Sequence, residues 1–134
     1  MRYMLDTNIC IYIMKRQPPE VEDRLHDVAI GDVSLSGIVL AELWYGVHRS
    51  QRPERNEAAL RDFLRFVKVL DWPTDAAGAY GAIRAALTRQ GSIIGGNDLL
   101  IAAHAIYEGA ILVTNNGREF ERVSGLNTEN WAAS

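Results

Sequence analysis

Four short apolar runs, Tyr3 to Leu5, Val33 to Leu35, Val67 to Leu70 and Ala110 to Thr114, are separated by stretches with helical periodicity, and few hairpin signals intervene. Strands joined through helices cannot pair by tight turns. They imply a mainly parallel sheet covered by helices on both faces, an α/β chain in three α/β/α layers. With 134 residues, 48% of them hydrophobic, the chain has the length and apolar content of one domain, residues 1–134. Internal repeats, low-complexity segments and linkers are lacking.

The connecting stretches read as helices with recognisable ends. Thr7 to Lys15 follows the first strand directly, and Pro18-Pro19 stops it. Glu20 to Val28 places Val21, Leu25 and Val28 among charges, as a short amphipathic helix does. Gly31-Asp32 makes a turn. Ser36 is placed to cap a helix over Gly37 to Ser50, with Leu40, Leu43, Trp44 and Val47 as its inner stripe. Pro53 starts a charged helix through Phe66, and Asp75 to Gln90 is alanine-rich and helical. From Asn97 the run DLLIAAHAIYEG is apolar almost all round, which predicts a helix buried on several sides and ended by Gly109. Arg118 to Arg122 suits one helical turn, and Leu126 to Trp131 an edge strand or tail.

Ligands of such sheets bind at the carboxyl ends of the strands. Asp6 stands at one of these ends, where an N-cap is the commoner use of an Asp. Asn97-Asp98 opens the buried helix, where capping and the helix dipole again give a structural explanation. Glu42, inside LAELWYG, is harder to explain, because an isolated buried carboxylate costs far more than capping returns. No lysine is near any of the three in sequence. A divalent cation would balance all of them, and carboxylate oxygens favour Mg²⁺ or Mn²⁺. The histidines, His26, His48 and His104, form no HxxxH or HxH pair, and the single cysteine, Cys10, allows neither an internal disulfide nor a paired-thiol metal site. Near the fourth strand, VTNNGREFERV delivers Thr114, Asn115 and Asn116 to the same edge as Asp6, with Glu119 and Glu121 following. Plain turn chemistry also accounts for Asn-Gly.

Taken together, YMLDTNICIYI, SGIVLAELWYG, GNDLLIAAHA and LVTNNGREFERVSGL resemble, in order and nearly end to end, the four segments of PIN-domain ribonucleases, in particular the VapC-type toxins of bacterial toxin–antitoxin pairs. The resemblance implies a PIN-like fold with an acidic pocket, dependence on Mg²⁺ or Mn²⁺, and endonucleolytic cleavage of RNA. Carried over position by position, Asp6, Glu42 and Asp98 match the catalytic, metal-binding acids. Thr7 and Thr114 match hydroxyls beside the pocket. Asn116 departs from the pattern, since many relatives place a fourth acid there; one well-held ion is therefore expected, and a second would need help from Glu119 or a substrate phosphate. The implied chemistry is attack on phosphorus by an activated water, leaving a 5′-phosphate and a 3′-hydroxyl.

The net charge of −3 argues against nucleic-acid binding through bulk basicity, so any grip must be local. Arg49, Arg52, Arg55, Arg61, Arg65, Lys68, Arg84 and Arg89 concentrate mid-chain, where they either track phosphates or pair with Glu54, Glu57 and Asp62. Tyr45, Trp72 and Tyr80 are candidates for base stacking, with core packing as the alternative for each. The resemblance further implies a VapB-like antitoxin, an RNA substrate such as a tRNA, a homodimer, and promoter DNA met only through the antitoxin. Glu20 to Val28 with Trp44, Val47, Phe63 and Phe66 are candidates for a docking groove or a homodimer surface, with core burial as the commoner fate of most of them. No charged leader precedes an apolar segment and no run approaches membrane-spanning length, so a cytoplasmic, non-membrane protein is expected. A receiver-type phosphotransfer domain fits poorly because Lys15 and Lys68 stand in the wrong places, and a haloacid-dehalogenase-like phosphatase because position 8 is Asn. The remaining alternative is a PIN-fold binding protein that keeps its antitoxin but has lost useful catalysis.

Overall fold

A computed structural model describes residues 1–133. In chain order the elements are β1 (Tyr3–Leu5), α1 (Thr7–Lys15), α2 (Pro19–Asp27), β2 (Val33–Ser36), α3 (Gly37–Arg49), α4 (Pro53–Phe63), β3 (Lys68–Leu70), α5 (Ala77–Gln90), α6 (Gly96–Glu108), β4 (Ile111–Val113), α7 (Gly117–Phe120) and β5 (Thr128–Glu129). The strands form one sheet in the order β3-β2-β1-β4-β5, and every pairing is parallel. Tyr3 lies opposite Val33 on one side and Ile111 on the other, which makes β1 the central strand.

The order determines where a site can form. From β1 the chain winds outward through β2 to β3, then crosses back to β4 on the other side of β1. That reversal is a topological switch point, and the crevice it leaves opens at the carboxyl ends of β1 and β4. Right-handed crossovers put α1 to α4 on one face and α5 and α6 on the other. The packing agrees: α1 meets α2, α3 and α4, while α5 packs along α6.

Strands covered on both faces need apolar residues at consecutive positions, and Met4, Leu5, Leu112 and Val113 are all fully buried. Ile9 and Cys10 from α1 join them. On α6, Leu99 and the five consecutive residues Ile101 to Ala105 are buried, so the run that is apolar all round is the innermost helix.

Two details differ from the sequence expectations, and the expected edge strand near the end is present. The inner stripe of α3 is Val39, Leu43 and Val47, spaced i, i+4, i+8, with Leu40 and Trp44 only partly covered. Helix α4 ends at Phe63 rather than Phe66, because tighter turns, with Arg65 N donating to Asp62 O and Phe66 N to Phe63 O, redirect the chain into β3. Leu126 to Trp131 contains a two-residue edge strand, and Trp131 beyond it is buried against Tyr3 with ring centroids 5.5 Å apart.

Candidate active site

Asp6 follows β1 directly and is 7% exposed. Its main-chain N–H bonds to Val113 O at 3.0 Å, tying the ends of the two central strands together. Both carboxylate oxygens are engaged. Oδ1 accepts from Ile9 N at 3.1 Å, so Asp6 is the α1 cap, and Oδ2 accepts from the Thr114 hydroxyl. The cap reading and the site reading thus describe one side chain. Burial pushes its carboxyl above the ordinary range; the Thr114 and Ile9 bonds oppose that, and the Glu42 charge adds to it.

Thr114 is fully buried and bonded at each of its polar ends. Its N–H donates to Glu129 O at 2.9 Å, and its Oγ1 accepts from Asn116 N at 2.9 Å. The Asn-Gly corner therefore aims the Thr114 hydroxyl proton at Asp6. Asn116 acts through its main chain in this relay.

Glu42 is not the deeply buried acid its apolar surroundings suggest. It is partly exposed at the rim of α3, between the exposed Ala41 and the buried Leu43. Its Oε1 accepts from Thr7 Oγ1 at 2.5 Å, and its Oε2 accepts from Asn97 Nδ2 at 3.3 Å. Solvent and these two donors relieve the desolvation cost that made it puzzling. Through Glu42 the first residue of α1 and the start of α6 are pinned to α3. Asn97 is the residue sequence reasoning missed. The sequence suggests only a cap there, but Gly95 holds the cap position; the available signal is an amide directly beside Asp98.

Asp98, in the first turn of α6, is half-buried, and its carboxyl is pushed up to about 6. Burial contributes most, followed by the charges of Glu119 and Glu42, a hydrogen bond with Glu119, and the charge of Asp6. Glu119 lies on α7, the single turn after the Asn-Gly corner. Four acids from the end of β1 and from α3, α6 and α7 therefore sense one another at the switch point. Among the described residues, no three His, Cys, Asp or Glu side chains converge into a ready-made cage. Hydroxyl, amide and main-chain donors hold Asp6 and Glu42, and the four acids feel one another's charge.

No histidine joins them. His104 is buried, with Nδ1 2.8 Å from Ser36 Oγ, so it clips α6 to the start of α3, and burial lowers its pKa. His48 is exposed and stacks on Trp44, and His26 is exposed on α2. The donor set is wholly oxygen, which fits Mg²⁺ or Mn²⁺ better than zinc.

The mid-chain cations separate into kinds. Arg61 bonds Glu57 at 2.9 Å and Arg65 approaches Asp62 at 3.5 Å, as solvated i,i+4 and i,i+3 pairs. Arg84 donates to the Tyr80 hydroxyl. Of the three aromatics considered for stacking, Trp72 donates to Leu100 O at 2.8 Å, Tyr80 is partly covered, and only Tyr45 is open, at 68% exposure. Among the described residues, no helix is long and apolar enough to cross a membrane.

Comparison with known proteins gives these features a family. The model named "PIN domain" matches residues 3–126. "Ribonuclease VapC2" of Haemophilus influenzae is 52% identical over 131 residues, covering 98% of each chain. "tRNA(fMet)-specific endonuclease VapC" of Shigella flexneri is 48% identical over 132 residues, covering 98% of this chain and 99% of that one. Among solved structures, a chain of "VapBC2 from Rickettsia felis bound to a DNA fragment from their promoter" superposes with a TM-score of 0.92 at 45% identity, over 98% of this chain and 99% of the other. PIN-domain ribonucleases generally depend on a divalent metal. A family match over almost the whole length, with relatives of matching length at such identity, establishes that the chain belongs to the PIN domain family.

Proposed function

We infer that this chain is the endoribonuclease toxin of a bacterial toxin–antitoxin pair, hydrolysing phosphodiester bonds in a structured RNA such as a tRNA. The observation that carries the reading is the coupling of Asp6, Glu42, Asp98 and Glu119 at the switch point of a PIN fold. Four acids held in mutual repulsion are costly unless a cation joins them. We assign Asp6 and Asp98 to hold Mg²⁺ or Mn²⁺, with Glu42 direct or through water. A bound cation would supply a more acidic water and positive charge to oppose the charge that builds on phosphorus.

The chain's own residues do the rest. Thr114 and Ile9 N–H fix the Asp6 carboxylate, and Thr7 with Asn97 fixes Glu42. Glu119 brings to Asp98 the negative charge that Asn116 withholds, and this favours an enzyme over a binding-only relative. Replacing Thr114 by Val keeps the shape but removes the proton directed at Asp6, and losses of about 10–100-fold in metal affinity are typical for such support. Titrating Mn²⁺ into the variant checks this, and wild-type affinity would refute the role.

The implied partner is a VapB-like antitoxin, through which promoter DNA would be met indirectly, in keeping with the DNA-bound VapBC structures of Rickettsia felis and Salmonella typhimurium. The apolar elements foreseen for docking partly meet in one cleft of about 470 Å³, where Leu25 and Val28 at α2 face Phe63 and the 62%-exposed Phe66. We assign that cleft to the antitoxin tail. We place its action in the cytoplasm, and its working unit as a homodimer.

The test is incubation of purified, antitoxin-free chain with total cellular RNA and Mg²⁺ or Mn²⁺, beside a chelator control. Discrete fragments carrying 5′-phosphates, formed only with metal, are expected. A cyclic phosphate end would sink the water mechanism, and metal binding without any cleavage would favour the binding-only protein.

A further inference from the structure

A second cleft, of about 610 Å³, runs between α1, α3 and α4, and Glu42 lies in its wall. It therefore leads away from the acidic site. Lys15, Arg49 and Arg55 line it, together with the polar Ser50 and Asn56. Among the described residues none of these three cations is paired with a carboxylate, although Arg61, Arg65 and Arg16 nearby all are. Arg49 instead lies over the ring of Tyr45, 5.5 Å from its centroid, and Tyr45 is the open aromatic.

Three uncommitted cations in one cleft repel one another, and a chain of phosphates would relieve that repulsion. Solvated cations on convex helix faces behave differently, since their acidic neighbours already neutralise them. We propose that this cleft is the track for a single-stranded RNA segment flanking the cleavage point, with Lys15, Arg49 and Arg55 on successive phosphates and Tyr45 as a stacking surface at its edge. The assignment rests on the ribonuclease reading and deepens it. An unpaired strand fits a cleft between helices and can offer a base to Tyr45, whereas a duplex keeps its bases stacked inside. A protein segment is the competing occupant, and the cleft beside α2 with its exposed Phe66 and Ile30 suits that better.

Gly46 gives a steric handle. It lines the cleft, and a Cβ added there would meet no atom within 4 Å. Gly46→Gln therefore narrows the track, keeps every charge and improves a helix position.

The probe is a labelled 20-nucleotide mixed-sequence single-stranded RNA, followed by fluorescence anisotropy in Mg²⁺ across a KCl series, with cleavage of total cellular RNA measured in parallel. For the triple variant Lys15→Gln, Arg49→Gln, Arg55→Gln, affinity should fall at least tenfold. The slope of log affinity against log salt should shrink by about 2, since each phosphate contact contributes about 0.7 on a single strand. KM should rise with kcat retained. Arg49→Lys with Arg55→Lys should restore the slope, and Gly46→Gln should weaken binding with an unchanged unfolding temperature. Arg61→Gln and Arg65→Gln should alter nothing. A triple variant with wild-type affinity and slope, in a protein whose wild type cuts RNA, would overturn the track and leave the ribonuclease reading standing. A wild type that neither binds nor cuts RNA would remove both.

Discussion

Asp98→Asn is expected to abolish RNA cleavage, by about 10³-fold or more, while making the metal-free fold more stable at neutral pH. The loss follows from removing one of the charges assigned to the cation, an interaction whose worth rises in the partly desolvated setting the acids share. The gain follows from the direction of its titration. Asp98 titrates near 6 in the folded chain, above the ordinary 3.8, so folding favours its protonated form. Its favourable contribution is complete below about pH 4 and is lost as the pH rises through about 6. Asparagine never ionises and so escapes that loss. Because the side chain is only partly buried, solvent screens the charges, and the gain above pH 6 is about 1 kcal/mol, a few degrees in unfolding temperature. Thermal scans of both proteins in chelator at pH 4 and pH 7.5 check it. The curves should nearly coincide at pH 4 and separate at pH 7.5, and a variant less stable at pH 7.5 would contradict the repulsion described among the four acids.

The other large effect lies outside the acid cluster. Trp131→Ala is expected to cost about 3–5 kcal/mol, within the range for deleting a buried aromatic and a large share of a typical total of about 5–15. The ring packs on Tyr3 of the central strand, its Nε1 donates to Glu129 Oε1 at 3.1 Å, and the Arg24 guanidinium from α2 lies 5.8 Å from its centroid. Main-chain bonds pair the two-residue β5 with β4, and this one side chain adds a tie from the segment after β5 to β1 and α2. Glu129 O in turn receives the Thr114 N–H, so releasing β5 also loosens the hydroxyl directed at Asp6. Urea unfolding reads the cost, and Trp131→Phe, which retains most of the packing, should lose well under half as much. A cost below about 1 kcal/mol for the alanine variant would mean that this tie contributes little.

Much of this architecture is visible in the sequence for a definite reason. Strands buried on both faces leave uninterrupted apolar runs, and each helix here begins or ends with Pro, Ser, Asp or Gly in a recognisable role. Asp6 could be located because a carboxylate at the end of such a strand stands out from what precedes it. Glu42 was located for a mistaken reason: the average apolarity of its helix suggested burial, whereas exposure depends on which side of α3 faces the rim. The pairing of Asp98 with Glu119, and of Glu42 with Asn97, joins elements distant along the chain, and neither composition nor periodicity encodes such meetings. The same holds for the division of the arginines into paired and unpaired sets, since Arg55 and Arg61 on one helix look alike in sequence and differ in their neighbours.

The bond between Asp6 and Thr114 joins residues 108 positions apart. Ribosomes extend a chain at about 5–20 residues per second, so roughly 5–20 s pass between the appearance of the first of these residues and the second. During that interval β1 lacks its neighbour β4 and the acids have no crevice to share. With the cleavage site assigned to these acids, a polypeptide still being made would be unable to cut the transcripts and adaptor RNAs crowded around its own ribosome. Its danger begins only after its last strands are delivered, which leaves a window for a partner already waiting nearby to meet it first.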